Sequence, residues 1–215
     1  MLAFAVAGPG LVIGLRGISE PTSVNPDLSA LTLLATAVAA LGPAALALYL
    51  LWREGSLAEA GLSRPRVGAV IGWGLLAFLS CVAALFVVGI VVVIVQQATG
   101  HTTATSDTTS HINATAGAII GLLVISIVAG VSEEITYRAY GITRMEQAGW
   151  PRAALVVPWM VWTAQHLYEG PIALLVVGAV GAPLVLFFKY RRTVYPLIVG
   201  HALYDIAIFA IALSR

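Results

Sequence analysis

Residues 130–141 read Gly-Val-Ser-Glu-Glu-Ile-Thr-Tyr-Arg-Ala-Tyr-Gly, which sets Glu133, Glu134 and Arg138 at the end of an apolar run that begins near Thr115. Each such side chain at mid-bilayer costs roughly 2.5–3.5 kcal/mol on insertion scales. Three of them so close together point to use. Glu134 and Arg138 are four apart, so on a helix they share a face, with the acid N-terminal as the favoured order requires. Glu133 is turned about 100° from Glu134 by the helical period. The spacing therefore predicts a Glu134–Arg138 ion pair that holds the helix and a Glu133 carboxylate that faces a pocket.

Further along, His166 closes Trp162-Thr-Ala-Gln-His166, and His201 and Asp205 stand four apart in His201-Ala-Leu-Tyr-Asp205. A lone membrane histidine is explained by a bond to a backbone carbonyl. One glutamate, two histidines and an aspartate on three apolar segments are a different matter, because ionisable groups inside a bundle must find partners there. Glu133, His166, His201 and Asp205 could bind Zn²⁺ through nitrogen and oxygen ligands, or could activate water without a metal. The tight His-Glu-x-x-His spacing of many soluble zinc peptidases is missing.

The elements that must position these groups are membrane helices. Of the 215 residues, 60% are hydrophobic and 10% charged, and the mean hydropathy is +0.96; soluble domains carry about 25% charged residues. Net charge of +1 gives no case for nucleic acid. Cys81, the single cysteine, lies in an apolar run, which excludes a disulfide framework and reads as a small core residue. Apolar runs at residues 1–15, 28–52, 67–95, 115–139, 153–167, 172–188 and 194–213 are set against the ~20 residues that a span needs. The expected fold is all-α, a polytopic transmembrane helical bundle of about seven spans. The first run is short and is disturbed by Pro9 between glycines; it lacks the basic flank of a cleaved signal. Gly42-Pro43 predicts a kink in the second.

If every run crosses, Arg53, Arg64, Arg66, Arg138, Arg144, Arg152, Lys189, Arg191 and Arg192 fall on one side and only Arg16 and Arg215 fall opposite. The positive-inside rule then puts the N-terminus in the cytoplasm. Residues 1–114 are expected to form N-terminal transmembrane helices and loops, and residues 115–215 a core that carries the polar groups, within one integrated membrane domain. His101, Asp107 and His111 sit in a Thr- and Ser-rich loop that reads as solvated, and Asn113-Ala-Thr115 matches a glycosylation sequon. Gly117 and Gly121 offer a small-residue helix contact. Trp159 and Trp162 read as residues that pack or anchor and do not react.

Glu133-Glu134-x-x-x-Arg138, an aromatic four residues before His166, and His201-x-x-x-Asp205, in that order on successive helices, resemble the CPBP family. These are the CAAX-type prenyl proteases, bacteriocin-processing enzymes and Abi proteins. The likeness runs from about Thr115 to Leu213, and Gly61-Leu-Ser-Arg-Pro65 resembles the loop that precedes this core in bacterial members. The resemblance implies an intramembrane endopeptidase of a bacterial cell membrane acting on a membrane-associated or lipidated peptide or protein. Glu133 and His166 would activate the attacking water, and His201 and residue 205 would hold the oxyanion or its metal surrogate. Two positions depart from the pattern: Trp162 stands where Phe is common, and Asp205 where Asn is common. An ionised Asp only accepts hydrogen bonds, so Asp205 is protonated, orients His201, or binds a cation. A non-catalytic scaffold or regulator of the same fold is the alternative. A proton-coupled carrier is a third reading, though no internal repeat is visible. Counted along the helices, His166 lies deeper than Glu133 and His201.

Overall fold

A computed structural model describes residues 30–100 and 116–213. The regular elements among the described residues are all helices, without strands. In chain order they form α1 (Ala30–Arg53), α2 (Val67–Thr99) and α3 (Ala116–Glu133). α3 runs on through a π-helical segment (Glu134–Ile142) into α4 (Thr143–Gln147). After these come α5 (Ala153–Ala164), a 3₁₀ turn (Leu167–Glu169), α6 (Pro171–Arg191) and α7 (Tyr195–Leu213). Four stretches are long and apolar enough to cross a membrane: Val67–Thr99, Ile119–Gln147, Pro171–Arg191 and Tyr195–Leu213. Val38–Arg53 and Ala153–Ala164 are shorter apolar helices. The run at residues 1–15, the residues His101, Asp107 and His111, and the sequon lie outside the described residues.

Each of the other six predicted runs falls on a helix, with shifted ends. α2 continues to Thr99, so Gln96 belongs to the helix and not to the following loop; Gly100, at φ 68, ends it in the left-handed conformation that favours glycine. α1 passes through Pro43 without ending. The fifth run shortens to 12 residues, about 18 Å of helix against a ~30 Å hydrocarbon core, because Gln165 and His166 leave the helix for a turn. The fourth run lengthens to Gln147 and changes type halfway, which its composition does not reveal.

α7 carries two of the predicted site residues and packs between α2 and α3. Glycine makes these approaches possible: a Cβ on Gly130 of α3 would lie 2.9 Å from the carbonyl oxygen of Ile198, and one on Gly200 of α7 would lie 2.7 Å from Cβ of Ala77. The tight contact of α3 is thus at Gly130. Gly117, offered by the sequence as a contact, is exposed. α1 packs on α3, and α5 packs on α6 and on the π segment. Apolar side chains turned outward, such as Ile71, Leu75, Leu79, Phe86 and Ile90 along α2, give the bundle its lipid-facing belt. Cys81 is a buried core residue, its Sγ 3.6 Å from the carbonyl of Val180.

The three basic loops meet at one end. Arg144 pairs with Glu54, Arg192 pairs with Glu146 at 2.6 Å, and the Val194 amide donates to the Gly61 carbonyl at 3.2 Å. Arg138 is not among them. It is buried inside the bundle, two turns short of that end, because Glu134 and Trp162 hold it there.

Candidate active site

Glu133 ends α3 and Glu134 begins the π segment, so the two carboxylates part where the helix widens. Their surroundings differ accordingly: the Glu133 side chain is 21% exposed and that of Glu134 is 0% exposed. The Glu134–Arg138 pair forms, with Nη1 at 3.2 Å from Oε1. The guanidinium also lies 4.4 Å from the centroid of the Trp162 ring. A buried cation is thereby offset by one carboxylate and one aromatic face, while among the described residues its nitrogens make no hydrogen bond.

The same Oε1 of Glu134 has a second partner that spacing could not predict. His201 Nδ1 donates to it at 2.8 Å. A carboxylate that also faces Arg138 is ionised and can only accept, so the proton of that bond sits on Nδ1. This turns Nε2 of His201 toward the other acids, 3.9 Å from Oε2 of Glu133 and 3.7 Å from Oδ2 of Asp205. Glu134 is therefore more than an anchor for Arg138: it orients the histidine of a different helix.

Trp162 does more than pack. Its indole N–H donates to Oε2 of Glu133, and its ring stands edge-on to His166 (centroids 5.2 Å apart) and to His201 (6.0 Å). Gly181 on α6 supplies the notch for this ring, since a Cβ there would lie 2.1 Å from it. His166 lies just beyond α5 and folds back, so that Nδ1 meets the carbonyl of Trp162 at 3.0 Å. A carbonyl only accepts, so Nδ1 carries the proton of this bond. The Tyr137 hydroxyl donates to Oε1 of Gln165 at 2.9 Å, tying the π segment to the residue before His166. No pattern in the sequence signals that bond. Trp159, by contrast, anchors as expected, donating to the Gly178 carbonyl at 2.9 Å.

The structure thus brings Glu133, Glu134, Arg138, His201 and Asp205 together, with His166 against the Trp162 ring that they share. A zinc site needs three or four converging ligands. Among the described residues no group of three or more His, Cys, Asp or Glu side chains is so arranged.

The model of the Rce1-like family, described as type II CAAX prenyl endopeptidase Rce1-like, matches residues 115–207. No curated protein and no solved structure matches the chain. The matched segment holds every site residue described above. Over that segment the chain, an integral multi-pass membrane protein, is similar to the Rce1-like family of type II CAAX prenyl endopeptidases.

Proposed function

We propose that the chain is an intramembrane endopeptidase that hydrolyses a peptide bond of a membrane-associated or lipidated peptide, using water activated by Glu133. The observation that carries this reading is the 3.9 Å between Oε2 of Glu133 and Nε2 of His201. One reacting carbon can then receive hydroxide from the first group and lay its oxygen against the second. Glu133, with part of its surface open, takes the proton of the water. His166, its Nδ1 held by the Trp162 carbonyl, assists that transfer or passes the proton to the leaving amine.

Asp205 belongs to the oxyanion side. Since Nδ1–H of His201 is given to Glu134, donation to an oxyanion from this corner needs a proton on Nε2 or on Asp205, 3.7 Å away. A proton shared by that pair serves either way. Asp205→Asn tests this against a metal. An amide still donates, so turnover should stay within about ten-fold of wild type, where loss of an oxyanion donor costs about 10²–10³-fold. Chelators should do little. Loss of activity on Asp205→Asn that added zinc restores would put a metal at Asp205 instead. The assay compares a prenylated CAAX peptide with its unprenylated counterpart, on the full chain in liposomes. Cleavage of neither, with folding verified, would favour the scaffold reading.

We further propose seven spans, with the N-terminus and the basic end of the bundle in the cytoplasm of a bacterial cell, and residues 115–215 as the catalytic core. Reporter fusions within 53–66 and within 189–192 should read cytoplasm, and one within 96–113 should read outside. A cytoplasmic reading for 96–113 would invert the bundle and move the mouth of the site to the other face.

A further inference from the structure

At the basic end of the bundle, away from Glu133 and His201, a hollow of about 300 Å³ opens between the 61–66 loop, the start of α2 and the α6–α7 turn. Four arginines line it, Arg64, Arg66, Arg191 and Arg192, and no Asp or Glu does. Arg192 is paired with Glu146 at 2.6 Å. Among the described residues, Arg64, Arg66 and Arg191 make no ion pair. Three guanidinium groups around one concavity, without a counter-charge, raise its positive potential and favour an anion there.

The hollow is also pre-built. Gly61, at φ +72, lies so close to the α6–α7 turn that a Cβ on it would be 2.9 Å from the carbonyl oxygen of Arg192. The Val194 amide bonds to the Gly61 carbonyl and the Tyr195 hydroxyl to that of Leu62, each at 3.2 Å. The Arg191 guanidinium lies 3.8 Å from the centroid of the Trp73 ring, which holds its donors at the rim. The first turn of α2 has no acidic residue, and its Ala69 and Val70 line the same hollow.

Position selects the anion. The hollow sits where the lipid-facing belt ends: Val67, Ile71 and Leu75 run outward from it along α2, and Tyr190 is exposed beside it. Aromatic and arginine side chains at that level are at headgroup depth. We propose that this hollow binds the phosphate of an anionic phospholipid whose acyl chains lie along the outer face of α2.

Binding of phosphatidylglycerol and of phosphatidylcholine to the detergent-solubilised full chain, followed by native mass spectrometry, tests the site. Wild type should retain phosphatidylglycerol selectively. Replacing Arg64, Arg66 and Arg191 by Gln should weaken that binding by about five-fold for each arginine, on the order of a hundred-fold together. Arg53→Gln with Arg152→Gln, exposed basic residues outside the hollow, should leave it unchanged. All three arginines are exposed; if the triple variant does not fold, Arg64→Gln alone should still show its share. Equal losses in the control variant would mean a diffuse basic surface and overturn the site. Equal retention of phosphatidylcholine would overturn the charge selectivity. Displacement of the lipid by excess inorganic phosphate would show a site for free phosphate, not for a headgroup.

Discussion

Glu133→Gln is expected to lower peptide cleavage by roughly 10²–10⁴-fold, the usual worth of a general base, with the thermal midpoint unchanged. The amide keeps the shape of the side chain and can still accept the Trp162 indole N–H. It cannot take a proton from water. The Glu133 side chain is the partly open member of the acidic pair, and the buried guanidinium of Arg138 pairs with Glu134 and not with it. Cleavage rates and melting curves of the same preparation check both halves. Retained activity would remove Glu133 from the chemistry.

Glu134→Gln has the opposite signature. Removing one partner of a buried ion pair costs about 3–5 kcal/mol, and here Arg138 is left 1% exposed with only the Trp162 face against it. The thermal midpoint should fall on the order of 10 °C. Activity should fall as well, because Nδ1 of His201 loses an anionic acceptor, and Glu134→Asp should recover part of the stability. If both variants lost activity equally and neither changed its melting, the proposed division of labour between the two glutamates would be wrong.

The Glu134–Arg138 pair and the separate facing of Glu133 are legible in the sequence, since adjacent residues on any helix face different ways and an acid four residues before an arginine meets it. The apolar runs were legible for the same kind of reason: a stretch such as residues 172–188 can be little else but a buried or lipid-facing helix. Other features were not. Nothing in the composition of residues 134–142 marks a wider hydrogen-bond register, yet that register buries Ile135, Thr136, Tyr137, Arg138 and Ala139 in succession. The bond from His201 to Glu134 spans 67 residues and exists only because Gly130 and Gly200 let α7 close on its neighbours. Trp162 was read as packing because an indole is mostly apolar surface; its single N–H finds Glu133 only through the notch at Gly181. The turn that takes His166 out of the helix has no signature in an apolar run.

The central claim is that Glu133 activates water and does not itself attack the peptide. A single turnover in H₂¹⁸O, with full chain in excess over a prenylated peptide and the products weighed by mass spectrometry, tests it most directly. Activated water delivers solvent oxygen, so the new carboxylate should carry one ¹⁸O from the first turnover. A first-turnover product with only ¹⁶O, its oxygen taken from a protein carboxylate, would contradict the account.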